Sequence, residues 1–407
     1  MGDYIVDEAG NGAVAAASPP NQRGNAERQQ SPNPNPDLTG HKLLILTPFD
    51  LPTGWADAAR ARYPGLTIEH NRHNPWVGSG GPPEDVDWSD VTVLMTGPVL
   101  PSPRDAPRLQ LVQLQSAGAN YVLEHPLFKD TKVAFCTANG VHGPQIAEWV
   151  IMTYLAFQHR LPHYLDKQKE CHWDRDSHDM DTLDTVHQRM NLVHSGILGY
   201  GSIGRQVARV ATAMGAEVYA YTAHPRPTPE SRRDNAYYVP GLGDPEGVLP
   251  TRWFSGTSEA DVNEFLASGL DLLVLAVPLT PQTRGMLGQA QFKVLAEAAE
   301  KTEEGAKRKR GKTYVVNVGR GPVVETGALM EALDEGWIRG AALDVTDPEP
   351  LPREHPLWRK PNLIVTPHVS GNSTHYIDRL MAIVDINLER LSKGERFINQ
   401  VNKKQGY

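Results

Sequence analysis

Cysteine is nearly absent: Cys136 and Cys171 are the only two in 407 residues. So few cannot supply a disulfide framework for a chain of this size, and the scarcity points to a reducing compartment. Long apolar runs are missing too, since the longest, residues 270–279 around Asp271, is about half of the ~20 residues a membrane helix needs. There is no excess of positive charge: 40 Lys and Arg stand against 48 Asp and Glu, for a net charge of -8 and a pI near 6.0. That balance argues against nucleic acid and anionic membrane as partners. The N-terminus carries acids where a signal peptide would carry Lys or Arg, with no apolar stretch behind them, so a soluble, cytoplasmic protein is expected.

What is present is ordinary globular material, 40% hydrophobic and 22% charged, in a length that suits two domains. Residues 1–40 mix Asn, Pro, Gly, Gln, Ala and Ser and read as a disordered tail. Order is expected from Lys42-Leu43-Leu44-Ile45-Leu46-Thr47, followed by apolar runs at Val91-Thr92-Val93-Leu94-Met95, Leu111-Val112-Gln113-Leu114 and Val133-Ala134-Phe135-Cys136. Helical spacing of Ile146, Ala147, Val150, Ile151, Tyr154 and Leu155 behind Pro144 predicts one long helix over 144–160. A polar, histidine-rich loop is expected over 163–189. Beyond it come further apolar strands at 197–198, 218–221, 272–277, 314–318, 341–345 and 363–365, the pattern of a parallel sheet covered on both faces. Two polar stretches, 225–260 and 297–312, read as surface insertions.

Gly199-Tyr200-Gly201-Ser202-Ile203-Gly204 fits G-x-G-x-x-G between a strand, Ile197-Leu198, and a helix whose apolar residues are Ile203, Val207, Val210, Ala211 and Met214. In that setting the first glycine permits the tight turn, the second lets a pyrophosphate approach, and the third lets helix and strand pack closely. A dinucleotide site for NAD usually carries an Asp or Glu at the end of the next strand, on the ribose hydroxyls. Here Thr222, His224 and Arg226 follow Tyr221 instead, which removes repulsion of a 2′-phosphate and offers a guanidinium to pair with it, favouring NADP over NAD. The other reading, in which Thr222 tolerates NAD and Arg226 faces solvent, stays open.

Three consecutive strand ends then carry reactive groups. Asn317-Val318-Gly319-Arg320-Gly321 offers a guanidinium that could hold a carboxylate bidentately. Asp344-Val345-Thr346-Asp347-Pro348-Glu349-Pro350 and Thr366-Pro367-His368 offer a carboxylate and an imidazole, an acid/base pair. Cys171, His172, His178 and His187 match no closed zinc spacing. Lys307-Arg308-Lys309-Arg310 reads as a solvated charge run, and His142 and Gln145 as either substrate contacts or helix-start residues.

Together these motifs resemble the D-isomer-specific 2-hydroxyacid dehydrogenase family, with its glyoxylate/hydroxypyruvate reductases and phosphoglycerate dehydrogenases, over residues 42–407. The resemblance implies two Rossmann-like α/β domains, the cofactor domain (146–371) inserted into a discontinuous substrate domain (41–145 and 372–407). It implies a catalytic set of Arg320, Glu349 and His368, and Asp344 on the nicotinamide carboxamide. Expected cofactor contacts are Gly199 to Gly204 of the glycine turn, Thr222, His224, Arg226, Val277, Pro278, Val318 and Gly319. The substrate, a 2-oxo or 2-hydroxy acid, is expected on Ser116, Ala117 and Gly118 as well as Arg320 and His368. Asn120 stands where the family usually has Asp, and Gly319 where it has Ser or Ala. A homodimer through the cofactor domain and an R-configured product are further implications. The alternative is a dinucleotide-sensing scaffold, like the corepressors that share this fold.

Overall fold

Strands without a polar face can be buried only between two covering layers, and the chain builds two sheets of this kind. The computed structural model describes residues 34–74, 82–175, 193–300, 312–403 and 406. The first sheet has five parallel strands in the order β2-β1-β3-β4-β5: β1 (Lys42–Leu46), β2 (Thr67–Asn71), β3 (Val93–Thr96), β4 (Leu111–Leu114) and β5 (Ala134–Cys136). Helices α1 (Trp55–Arg62) and α2 (Pro126–Lys129) lie between them; α3 (Gly143–Gln158) and α4 (Leu161–Lys169) lead away.

The second sheet has seven parallel strands in the order β12-β11-β10-β9-β6-β7-β8. They are β6 (His194–Leu198), β7 (Glu217–Thr222), β8 (Arg252–Ser255), β9 (Leu272–Leu275), β10 (Tyr314–Asn317), β11 (Gly340–Leu343) and β12 (Leu363–Val365). Its helices are α5 (Ser202–Ala213), α6 (Pro229–Arg232), α7 (Glu259–Leu266), α8 (Gln289–Glu300) and α9 (Thr326–Asp334). The order reverses between β6 and β9, and in sheets of this type ligands bind at that switch point, outside the carboxyl ends of the strands.

Helix α3 packs on the second sheet through Ile146, Ala147, Val150 and Tyr154, against Ile197, Val207, Val218 and Val274. The last helix, α10 (Tyr376–Lys393), returns to the first sheet, where Leu380, Ile383, Val384 and Leu388 meet Leu43, Ile45, Val93 and Cys136. A buried polar ladder fixes its register: Asn387 Nδ2 donates to Gln113 Oε1 at 3.0 Å, and Gln113 Nε2 donates to the carbonyls of Leu114 and Cys136. Among the described residues no helix is long and apolar enough to cross a membrane.

Five expectations are corrected. The polar loop expected over 163–189 begins as helix α4, whose Leu161 and Leu165 are spaced for one face; residues 176–192 lie outside the described residues. Strand β2 was not expected, because Thr67-Ile68-Glu69-His70-Asn71 sits at a sheet edge with no residue fully buried and so shows no apolar run. The stretch 225–260 is more than an insertion: it contains β8, the edge strand paired with β7, preceded by a strap over residues 232–249. Arg205 Nη2 donates to Arg232 O at 2.6 Å, Gly243 N donates to Gln206 Oε1 at 2.6 Å, and the Asp244 carboxylate takes the Tyr200 hydroxyl at 2.7 Å. The same strap buries Tyr237 in the core of the first sheet and donates Tyr237 N to Asn399 Oδ1 at 3.2 Å. Of the second expected insertion, residues up to 300 belong to α8, and 301–311, with the Lys307–Arg310 run, lie outside the described residues.

The tail, finally, does not extend to residue 40. Leu38 is fully buried against Leu43, Tyr63 and Leu66, Asn35 N donates to Ser392 O at 2.8 Å, and Asp37 O accepts from Gly65 N at 2.9 Å. One leucine among Asn, Pro and Gly gave no periodicity to read. Leu38→Ala is therefore expected to cost about 2–5 kcal/mol in urea unfolding. A chain starting at His41 should be destabilised to a similar degree.

Candidate active site

The glycine turn sits between β6 and α5. Gly199 has φ 105°, and a Cβ there would stand 2.7 Å from the Ala276 carbonyl oxygen, so only glycine fits. A Cβ on Gly204 would strike the Gly199 carbonyl, which lets the helix pack onto the turn. A Cβ on Gly201 would meet nothing within 4 Å, and no side chain caps α5. The turn thus leaves bare N–H groups and free space at a helix N-terminus, which fits a pyrophosphate. Ser202 Oγ donates to Asn139 Oδ1 at 2.7 Å.

Two side chains of this turn point elsewhere. Tyr200 is buried against Trp253 and bonds Asp244; burial and that carboxylate raise its pKa well above the usual phenol value, so it stays a donor. Ile203 packs into the core of the second sheet. Only their backbone remains at the turn, and the same holds for Val318, which is buried in that core, and for Gly319, whose Cβ position lies 2.8 Å from Val277 O. Tyr200, Ile203 and Val318, expected as cofactor contacts, therefore offer the turn their backbone and not their side chains.

At the end of β7, Thr222 Oγ1 donates to His224 O at 2.8 Å. Arg226 is exposed and donates to Ser231 O at 2.5 Å, while its own carbonyl accepts from Arg232 Nε at 2.9 Å. No acid lies between Thr222 and Pro229, so the guanidinium faces no carboxylate in its own turn. Val277 and the exposed Pro278 follow β9; Pro278 O accepts from Thr283 Oγ1 at 2.7 Å.

Arg320 follows β10, held by its own donation to Gly319 O at 2.7 Å and by Asn317 Nδ2, which donates to Arg320 O at 3.0 Å. Burial lowers its pKa below the usual guanidinium value, and Glu349 opposes that. The Gln115–Asn120 loop of the first sheet lies against it: Gly118 is so close that any Cβ would collide with Arg320 Nη2. Ser116 Oγ donates to Gly118 O at 2.6 Å and lies 2.7 Å from the Tyr121 hydroxyl; Ala117 is half-buried between them. Asn120 Nδ2 reaches Leu279 O at 3.2 Å, so the loop bridges the two sheets.

His368 Nδ1 lies 2.6 Å from Glu349 Oε1, with the imidazole 51% and the carboxylate 39% exposed. Both are therefore in contact with the cleft while engaging each other, which leaves His368 Nε2 as the free nitrogen. His368 has φ 55°, a left-handed conformation that costs a non-glycine residue about 1–3 kcal/mol. Asp344, the residue expected on the nicotinamide carboxamide, is engaged within the chain. Its carboxylate is buried and takes hydrogen bonds from Thr366 Oγ1 (2.5 Å), Val369 N (2.9 Å), Ser370 N (3.0 Å) and Ser370 Oγ. These four bonds tie the carboxylate to the loop that follows β12.

Other residues complete the site. His142 stacks edge-on to Tyr376 at 5.1 Å, its Nδ1 is buried with no partner, and burial together with Arg320, His368 and Arg379 lowers its pKa to about 4. Gln145 Nε2 donates to Gly371 O at 2.8 Å, and Arg379 Nη1 to Gln145 Oε1 at 2.8 Å. Tyr376 and Arg379 stand at the start of α10, where no motif marks them in the sequence. Among the described residues no group of three or more His, Cys, Asp or Glu could hold a metal ion; His178 and His187 lie outside them.

The site can be set beside known proteins. Residues 151–242 and 251–370 match the family profile described as D-isomer specific 2-hydroxyacid dehydrogenase, NAD binding domain. The chain is 28% identical over 307 residues to a hydroxypyruvate reductase of Blautia hydrogenotrophica, covering 74% of this chain and 83% of that protein. It is 29% identical over 265 residues to glyoxylate/hydroxypyruvate reductase A of Photorhabdus laumondii, covering 65% and 69%. The fold is similar to that of the NADPH-dependent glyoxylate/hydroxypyruvate reductase of Sinorhizobium meliloti in complex with NADP and sulfate: TM-score 0.63, 25% identity, 90% of this chain and 100% of that one. With the glycine turn, the reversed strand order and the profile match falling on the same half of the molecule, the chain belongs to the D-isomer specific 2-hydroxyacid dehydrogenase family.

Proposed function

We propose that the protein reduces small 2-oxo acids of the glyoxylate/hydroxypyruvate type to (R)-2-hydroxy acids, with NADP(H) preferred over NAD(H). The observation that carries this reading is the 2.6 Å pair of His368 and Glu349, which shares the carboxyl edge of the sheet with Arg320 and the glycine turn. The names of the relatives, hydroxypyruvate and glyoxylate/hydroxypyruvate reductases, support the substrate class.

A nicotinamide at the switch point would supply the hydride that reduces the carbonyl carbon. Arg320 pairs with the substrate carboxylate and polarises the carbonyl, an electrostatic role worth a few kcal/mol. The backbone of Ser116, Ala117 and Gly118 closes over that carboxylate, because the loop already lies against the guanidinium. With Nδ1 turned to Glu349, His368 Nε2 delivers the proton to the carbonyl oxygen. Glu349 holds the ring in place through Nδ1. Gly199, Gly201, Ser202 and Gly204 would hold the pyrophosphate; Thr222, His224 and Arg226 the ribose and its 2′-phosphate; Val277 and Pro278 the cleft wall beside them.

The same reading includes a homodimer. Helix α4 has no buried residue, and Leu161 and Leu165 are each 46% exposed, with Met152 and Trp173 exposed beside it in the chain. A nine-residue helix is marginal without an apolar face to bury, and a second copy of the chain would cover this one.

Three outcomes are expected. His368→Ala should lower kcat with glyoxylate or hydroxypyruvate by about 10²- to 10⁴-fold, and Arg320→Ala should raise KM as well as lower kcat. Glu349→Gln should lower kcat while leaving KM little changed, since the amide replaces the charge-assisted partner that holds Nδ1 at 2.6 Å. Near-wild-type kcat for His368→Ala would leave the dinucleotide-sensing scaffold as the better reading.

NADPH should be used with higher kcat/KM than NADH, and Arg226→Ala should cut that preference about tenfold or more, the value of a charge-assisted pair worth about 1.5–3 kcal/mol. Equal kcat/KM for the two cofactors would refute it. Sedimentation should give a dimer, converted to monomer by Leu161→Glu with Leu165→Glu; a wild-type monomer at micromolar concentration would rule the interface out.

A further inference from the structure

Among the described residues four histidines stand immediately before a helix, and three of them use the ring locally. His125 Nδ1 accepts from Leu127 N at 3.2 Å, His355 Nδ1 accepts from Leu357 N at 3.3 Å, and His375 Nδ1 lies 3.1 Å from Asp378 Oδ2 in the first turn of α10. His142, before α3, makes no cap bond. The residue two places on is Pro144, which has no N–H to give. Its ring lies beside Arg320 and His368 instead; burial and the charges of Arg320, His368 and Arg379 lower its pKa to about 4, so it is neutral. The ring packs edge-on to Tyr376 at 5.1 Å, and a Cβ on Gly371 would stand 3.0 Å from His142 Cδ2. Gln145 Nε2 holds Gly371 O at 2.8 Å and Arg379 Nη1 holds Gln145 Oε1 at 2.8 Å, so the backbone on that side of the ring is pinned. Nδ1 is closed to solvent and has no hydrogen-bond partner. An unpaired buried nitrogen is a standing cost in a folded chain, and it calls for a reason.

We propose that His142 is a specificity-determining residue: its imidazole hydrogen-bonds a hydroxyl on C3 of the 2-oxo acid, so that a 3-hydroxy-2-oxo acid is preferred to its unsubstituted counterpart. The inference rests on the reductase reading of Arg320 and His368 and deepens it. A carbonyl carbon has three bonds in its plane. With the carboxylate on Arg320 and the oxygen on His368 Nε2, the bond to C3 is the one left without a partner, and His142 is the polar group beside both residues that has none of its own. A neutral imidazole presents one N–H and one lone pair, which matches a hydroxyl that both donates and accepts. A site built to hydrogen-bond a substrate hydroxyl rejects the analogue that lacks it, because the protein's polar group is then left unpaired. Tyr376, which supports the ring, also donates its hydroxyl to Gln115 O, so the same side chain braces His142 and the loop that meets the substrate carboxylate.

The test measures kcat/KM with NADPH for three substrates in the full chain: hydroxypyruvate, pyruvate, which lacks the C3 hydroxyl, and glyoxylate, which has no C3. The chains compared are wild type, His142→Phe, His142→Leu and His142→Gln. Wild type should favour hydroxypyruvate over pyruvate by about tenfold or more. His142→Phe keeps an aromatic ring against Tyr376 but has no polar atom, and should cut that ratio about tenfold. Comparing ratios between chains cancels the intrinsic reactivity of the two acids, and glyoxylate reports general damage to the cleft. His142→Gln returns a donor and an acceptor, and should recover part of the ratio that His142→Phe loses.

Equal losses on hydroxypyruvate, pyruvate and glyoxylate in His142→Phe would overturn the inference in favour of a packing role. Equal kcat/KM for hydroxypyruvate and pyruvate in the wild-type chain would overturn it as well, and would leave the reductase reading intact. No turnover of any of the three acids by the wild-type chain would remove that reading and the inference with it. If His142→Phe does not fold, His142→Leu, which also lacks a polar atom, carries the same comparison.

Discussion

Because every strand of the seven-stranded sheet runs the same way, each connection from a strand to the next element starts at one edge of the molecule. The glycine turn after β6, the Arg320 turn after β10, the Asp344–Glu349 loop after β11 and the His368 turn after β12 are therefore neighbours although they lie up to 169 residues apart in the chain, from 199 to 368. No side chain has to reach far. The cost is that these four loops must be shaped individually, and the chain does so with a φ of 105° at Gly199 and of 55° at His368.

The charges in the cleft form a graded set. Arg320 is desolvated and faces Glu349 as the opposing charge; His142, surrounded by Arg320, His368 and Arg379, is held neutral by a pKa near 4. One guanidinium, one carboxylate and one imidazole pair thus share the site with a second imidazole that carries no charge at working pH. An anion entering this cleft would meet Arg320 without a protonated His142 beside it, while His368 and Glu349 stay engaged with each other.

The sequence revealed the elements whose signal is local. Gly199, Gly201 and Gly204 follow a strand and open a helix, and Arg320, Glu349 and His368 each follow an apolar run, so both the turn and the reactive groups could be read from short windows. What escaped depends on distant partners. Thr366 and Ser370 meet Asp344 from 22 and 26 residues away, and nothing in the Asp344 window distinguishes a loop anchor from a ligand contact. Strands β2 and β8 are edge strands with exposed or half-exposed residues and therefore lack the apolar run of the central ones. Leu38 is a single leucine in a polar tail, legible only once Tyr63 and Leu66 are seen to cover it.

The strap over residues 232–249 has a mechanical consequence. Arg205, Gln206 and Tyr200 grip it at Arg232, Gly243 and Asp244, from the turn and helix that follow β6, and between these points Tyr237 is sunk in the core of the first sheet and bonded to Asn399, which also holds the carbonyls of Thr137 and Asn139. Ser202 closes the circuit through Asn139. Any swing that parted the two halves would have to draw an aromatic ring out of an apolar core, at about 1.5–3 kcal/mol, or break the grip on the helix. Such a tether resists any motion that would draw the two sheets apart.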